Sequence, residues 1–568
     1  MVKHFKKEEE MSDLSTKISF VIFIFSLIGY SSEKEMGRFA SGDKGIVISG
    51  KSDATAAGIE ILEKGGNAAD AMTATILSLS VKHIGAFCIG GEVPVIIYDA
   101  SKDEVKVLSG QGEAPLDQKA IDWYYEHGIP GSNMKAAAVP GVIDLCVTAL
   151  KLYGTMSFKD VVSPTLEILD RGGPNWYIDT SDGDTVYTDR DWYSDLATTL
   201  RKLVKAEKNK IGTREEKLQA VSDRFYRGDI ADDLVDWYID NGGFLRNRDL
   251  ALHETEVEDP LTIKYRGYTI CKCGPWTQGP FLLQSLRLLE GFDLKEMDYL
   301  KADYIHIVTE AMKLAFADRD EYYGDPLFSD IPMDALLSDK YTELRRDLID
   351  MNKASSEILP GDPNNKLPLK KSPVKSSQSQ GGTTICIAAD EWGNVAVATP
   401  SGLGSNAGTG GKTGITHGTR LVIFNTWEGH PNSIEPGKRP RTTLTPTMVL
   451  KNGKPILAIS VAGGDLQDQC ALQLLLYFIE FGMLPKDAYS APRFSTRHFT
   501  GSFGQDKPLL ANLKVYEGLD QNTISELRNR GHNLSISPSK YVGWPAILYI
   551  DQDSKMIYGA GGVCDIVK

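Results

Sequence analysis

The sequence predicts an α+β fold, and three observations carry that prediction. Residues 42–108 pass from a strand through two helices to a hairpin. Residues 141–255 read as mostly helical. The last third carries two hairpins, the second of which runs into a glycine turn and an apolar helix. Composition agrees with a folded chain: of 568 residues, 42% are hydrophobic, 24% charged and 9% aromatic. That length suits three or four domains or one large multilayer unit, and it excludes a small disulfide scaffold. The net charge of −14 sets a field that disfavours nucleic acid as a partner.

Each element has a local reason. GIVISG near residue 45 is an apolar run of strand type. Asp53 to Lys64 repeats apolar residues at helical spacing and closes on Gly65-Gly66. Asn67 to Ser80 is a second helix, rich in Ala, Leu and Ile. Residues 93–108 form a hairpin around a polar turn. Tyr304 to Asp318 places Ile305, Val308, Met312 and Ala315 on one helical face, as expected of core. Residues 353–382 are rich in Pro, Ser and Lys and read as a mobile linker. TTICIAADEWGNVAVAT follows as strand, glycine-containing turn and strand. MVL and PILAISV pair around Asn452-Gly453, and LAISV then enters Ala462-Gly463-Gly464-Asp465.

The N-terminus carries an apolar run, Ile18 to Ile28, too short to span a bilayer and of the size found in secretory signals. Gly29 and Ser31 follow at cleavage-like positions, while Glu8, Glu9, Glu10 and Asp13 offset the nearby lysines. Export to the periplasm or the exterior is the expectation for residues 1–35. A short membrane anchor and a buried segment in a cytoplasmic protein stay open. No other stretch has the length and apolarity of a span.

Several motifs fail. GTGGKTG resembles a phosphate loop, but Asn406 stands where the Walker pattern needs glycine. His253-Glu254 opens like a zinc-protease motif that Val257 breaks. The nine histidines show no ligand spacing, and the seven scattered cysteines form no C-x-x-C pair. No metal or cofactor is expected, and most of the cysteines read as small buried hydrophobes.

One junction carries chemistry. A threonine with a free α-amine is a self-contained catalyst, because the hydroxyl attacks and the amine takes the proton. The ordinary pKa of such an amine, about 7.7–8.0, suits base work near neutrality. Cleavage between Gly382 and Thr383 would create that group at the head of a buried-type strand, and the flexible segment before it makes the cut sterically possible. By itself, Gly-Gly-Thr-Thr before a strand is also what an ordinary turn looks like. Gly463-Gly464, between strand and helix, offers backbone N–H groups of the kind that hold an oxyanion; a tight structural turn is the plainer reading.

Together these segments resemble the γ-glutamyltranspeptidase, or glutathione hydrolase, family of the N-terminal-nucleophile hydrolase superfamily. The resemblance runs from about Gly45 to Ala560. It rests on GIEILEKGGNAADA (58–71), AVPGVIDL (138–145), FYRGDIA (225–231), YRGY (265–268), FADRDEYYGDP (316–326), the junction 381–397, GKRPRTTLTPTMVLKNGK (437–454) and AGGD (462–465), in the family's order. It implies a four-layer αββα sandwich cut into two chains, a large one (42–382) and a small catalytic one (383–568). It implies Thr383 as nucleophile, Ser401 as the hydroxyl that supports it, Gly463 and Gly464 as the oxyanion pair, and Thr442 and Thr443 as pocket-lining hydroxyls.

The departures concern recognition. The family's substrate-binding arginine falls on Gln111, which has no charge to grip an α-carboxylate. Leu403 replaces an asparagine, and the acidic motif for the α-amine is not recognisable, with Asp390 and Glu428 as possible substitutes. The implied activity is acyl transfer from a small amide, nominally a γ-glutamyl amide such as glutathione, to water or an amine. An amidase for a non-glutamyl acyl group is the alternative. A catalytically silent binding protein is a third reading, against which the retained Thr383 and glycine pair argue.

Overall fold

The computed structural model describes residues 37–173, 176–178, 185–187, 191–363, 382–402 and 408–568. The expected signal (1–35), most of the expected linker (364–381) and Leu403 lie outside the described residues. Two seven-stranded antiparallel sheets form the centre. One runs Phe39–Gly42, Ile557–Gly561, Trp544–Ile550, Lys454–Ala462, Thr447–Lys451, Tyr268–Lys272, Leu261–Tyr265. The other runs Val563–Ile566, Gly45–Ser49, Cys386–Asp390, Val395–Ala398, Val93–Asp99, Glu104–Gly110, Glu256–Glu258.

Side-chain alternation explains the layers. Successive residues of a strand face opposite sides of its sheet. Ile46, Ile48, Ile387, Val395 and Val397 face the other sheet and pack with Met448, Ala458 and Leu548. Val47, Ala388, Ala396 and Ala398 face outward, against the helices Ser52–Glu63 and Ala68–Lys82. On the other sheet Ile270, Val449, Leu457 and Ile547 pack with Pro280–Leu289, Ala302–Tyr322 and Gln467–Ile479. Helices thus cover the outer face of each sheet, so Gly45–Ser49 and Cys386–Asp390 are buried on both faces.

Local signals act where expected. Asn67 caps its helix with a reciprocal Asp70 box. Asn452 (φ 52°) and Gly453 (φ 80°) take the left-handed conformation that a two-residue hairpin turn requires. Every residue of Ala302–Tyr322 except Asp303 is buried, so this helix is core all round. The helical stretch is interrupted by a short strand pair, Trp176–Ile178 with Thr185–Tyr187. All seven cysteines are buried free thiols. Among the described residues no helix is long and apolar enough to cross a membrane. Arg38–Lys568 forms one compact unit. Residues before and after position 382 interleave within both sheets, and Cys386–Asp390 lies between Gly45–Ser49 and Val395–Ala398.

Candidate active site

The junction sits at the head of the central strand Cys386–Asp390. Cys386 pairs with Ala398, and the ladder extends outward as Thr384 N–H donates to Pro400 O at 2.8 Å. Thr384 is buried, with its hydroxyl 2.9 Å from His83 Nδ1. Thr383 is half-buried. Burial holds His83 neutral, with its pKa down to about 4 by desolvation and then by the Lys51 charge. Gly382 is buried so tightly that a Cβ there would stand 2.1 Å from Gly85 O. Only glycine allows this approach.

Ser401 is fully buried just past the partner strand, and its hydroxyl donates to Gly382 O at 2.6 Å. The contact expected of this residue was with the Thr383 side chain. The structure adds a contact with the carbonyl of the bond to be cut. Arg420 Nη2 in turn donates to Ser401 Oγ at 2.7 Å.

The glycine pair stands at the same end of the sandwich. Ser460, near the end of Lys454–Ala462, donates to Ala398 O at 2.8 Å and lies 3.1 Å from the Thr399 hydroxyl. Three residues on, Gly463 and Gly464 have φ of 145° and 57°, and both are half-buried. Neither N–H donates to another backbone group among the described residues. A 3-10 turn, Gly464–Leu466, intervenes before the helix Gln467–Ile479. Asp465 is held below the usual carboxylate range although desolvated: it is half-buried, Arg319 Nη1 lies 2.6 Å away and Ser502 donates through N–H and Oγ.

Thr442 is pinned through its backbone to Trp276 O and Gln278 N, both at 2.9 Å. In the orientation that satisfies its amide, the Gln467 side chain bridges Thr443 O and Val461 O at 3.0 Å each. The threonine pair is thereby tied to the strand end that leads into Gly463. The Thr443 hydroxyl is buried without a partner. Gln111 is fully buried; its Nε2 donates to Pro440 O, and its Oε1 has no partner. Two residues' departure in the opposite direction is clear: Asp390 is at the far end of the nucleophile strand, capping Ala68 N–H at 2.8 Å, and Glu428 is exposed in a turn. Seven residues of extended chain, about 23 Å, separate positions 383 and 390. Asp390 therefore does not take the α-amine role.

The structure adds residues that local pattern did not single out. Glu92 and Arg420 form a buried ion pair beside Ser401, and His83 rests on Thr384. Arg441, next to Thr442, is buried with its Nε unpartnered; desolvation and then Arg319 lower its pKa to about 10. The only hint was the glycine cluster Gly85, Gly90 and Gly91, since close backbone approach needs glycine. Among the described residues His306, Glu310 and His532 cluster closely enough to invite a metal reading. The atoms that face one another are engaged in other contacts, although His532 Nδ1 has no partner. The two imidazole nitrogens are 2.8 Å apart, a hydrogen bond, whereas two nitrogens on one tetrahedral ion stand about 3.3 Å apart. Glu310 is taken by Lys313 at 2.7 Å and Ser355 N–H at 3.1 Å.

Residues 54–565 match the family model described as Gamma-glutamyltranspeptidase. The glutathione hydrolase proenzyme of Bacillus subtilis (strain 168) is 30% identical over 524 residues, covering 88% of this chain and 86% of that protein. The solved structure LmbA2991HD shares 31% identity with a TM-score of 0.82, covering 94% of this chain and 98% of its own. The cephalosporin acylase of Bacillus halodurans shares 25% identity with a TM-score of 0.75, over 94% and 96% of the two chains.

Proposed function

The chain belongs to the gamma-glutamyltranspeptidase family, and from that premise we propose that it is a self-cleaving threonine amidohydrolase and acyltransferase. The observation that carries this reading is the junction. Thr383 opens a buried strand, and the carbonyl before it accepts a hydrogen bond from Ser401. Cleavage between Gly382 and Thr383 frees an α-amine, which serves as base for the Thr383 hydroxyl. That hydroxyl attacks the amide carbonyl of the substrate. The N–H groups of Gly463 and Gly464 receive the oxyanion, and water or an amine resolves the acyl-enzyme. Thr442 and Thr443 line the acyl pocket. The pieces 42–382 and 383–568 stay together because both sheets draw strands from each. Export rests on the Ile18 to Ile28 run.

The nominal acyl donor is a γ-glutamyl amide such as glutathione. A second reading, an acylase for a non-glutamyl amide, is favoured by Gln111, which spends its amide on Pro440 O and carries no charge. Intact mass of the purified protein, followed by a screen of γ-glutamyl against non-glutamyl amides, tests both readings. Two chains with γ-glutamyl turnover support the first, and two chains with turnover only of other amides support the second. A wild-type protein that stays whole and is inactive on every amide contradicts the enzyme reading.

A further inference from the structure

We propose that Glu92 and Arg420 are positioning residues for the self-cleavage step, acting through Ser401 on the Gly382 carbonyl. The inference rests on the self-cleaving reading above. Arg420 places both Nε and Nη2 on Glu92 Oε1, with Nε at 2.7 Å, and Nη2 also reaches Ser401 Oγ at 2.7 Å. Ser401 Oγ reaches Gly382 O at 2.6 Å. The backbone closes the same unit: Glu92 N–H donates to Ser401 O and Ser401 N–H to Glu92 O, each at 2.9 Å. Glu92, Ser401 and Arg420 are all 2% exposed or less.

The chemistry of a hydroxyl makes this chain directional. Serine has one proton to give and two lone pairs to receive. A guanidinium N–H on one lone pair orients the hydroxyl so that its proton points to another acceptor. The charge also polarises the O–H and makes it a stronger donor. The Glu92 carboxylate is near enough to Ser401 to compete for the proton. Arg420 holds that carboxylate through Oε1 and so weakens its pull on the Ser401 proton, while Gly382 O receives the hydroxyl at 2.6 Å.

The step that benefits is the first one. The Thr383 hydroxyl oxygen attacks the Gly382 carbonyl carbon, and the carbonyl oxygen becomes an oxyanion held by Ser401 O–H. The C–N bond then breaks, the hydroxyl proton ends on the departing Thr383 nitrogen, and an ester remains. One water hydrolyses that ester: its OH completes the Gly382 carboxyl group and its other hydrogen restores the Thr383 hydroxyl.

The test is the first-order rate at which purified precursor becomes two chains, read by denaturing gel and intact mass. Arg420→Met should cleave about ten- to a hundredfold more slowly than wild type, the effect of one lost charge-assisted hydrogen bond. Glu92→Gln/Arg420→Met removes both charges, avoids stranding either one, and should also be slow. The decisive comparison is with Ser401→Ala. If Arg420 acts through Ser401, Ser401→Ala/Arg420→Met should cleave no more slowly than Ser401→Ala alone. A merely structural role predicts the same multiplicative loss in both backgrounds, and that result overturns the proposal. Wild-type rates in either Arg420 variant also overturn it. Wild-type protein that never cleaves defeats the parent reading instead.

Discussion

The hydroxyl of buried Thr384 lies 2.9 Å from Nδ1 of half-buried His83. This contact separates the roles of two adjacent threonines. Thr384 is committed to holding the strand against the segment that follows Ala68–Lys82, and Thr383 is left half-exposed at the strand's mouth. Thr383→Ala should therefore abolish both cleavage and turnover. Thr384→Val should lose about 1 kcal/mol of stability, the net worth of one buried hydrogen bond, and still cleave. Intact mass and thermal unfolding of the two variants check this. Cleavage lost only in Thr384→Val would reverse the assignment.

Ser401 touches the carbonyl of the bond to be cut, so its loss should be felt most in maturation. Ser401→Ala should slow cleavage by about 5- to 150-fold, the equivalent of 1–3 kcal/mol, without stopping it. Ser401→Thr, which keeps the hydroxyl, should recover most of the rate. Time courses on denaturing gels decide the matter. A Ser401→Ala protein as inert as Thr383→Ala would make Ser401 indispensable rather than supporting.

Gln111 is fully buried and uncharged where the family's motif places an arginine. Missing a charge-assisted contact of about 1.5–3 kcal/mol, the enzyme should favour γ-glutamyl anilides over anilides lacking the α-carboxylate by little or not at all. Comparison of kcat/KM for the two substrates tests this. A strong glutamyl preference would mean that another cation has taken over, and the buried guanidinium beside Thr442 is Arg441. Arg441→Met should then remove that preference.

Acid should weaken the fold through buried histidines. Desolvation lowers the pKa of His417 to about 4, and its Nε2 lies 2.7 Å from the Tyr238 hydroxyl. Its unfolded value is about 6.5, so between pH 6.5 and 4 the unfolded chain binds a proton that the folded chain does not. Stability therefore falls as pH drops through that window, by on the order of 3 kcal/mol for this group alone. His498, also near pKa 4 through desolvation, acts in the same direction. Thermal unfolding against pH should show a shallower decline for His417→Gln than for wild type. Equal slopes would contradict the assignment.

Much of this architecture was legible because it is written locally. The apolar runs at 45–49 and 386–390, the Asn67 cap and the Asn452-Gly453 turn each carry their instruction within a few residues. The site was legible only as separate motifs. Glu92 and Arg420 meet across 328 positions and Gln111 and Pro440 across 329. No periodicity encodes which loops converge, and so the contact of Ser401 with the Gly382 carbonyl could not be read from the sequence. Asp390 illustrates the converse. Its acidity invited a ligand role, but position 390 is the turn end of its strand, where the carboxylate serves the N–H groups of Trp392 and Asn394 at 3.0 Å each.

The central claim is that the chain makes its own nucleophile. N-terminal sequencing and intact mass of the mature, active protein test it most directly. The account predicts two chains, the smaller beginning at Thr383, and a Thr383→Ala protein that remains whole. Full amidase activity from an uncut wild-type chain would contradict it.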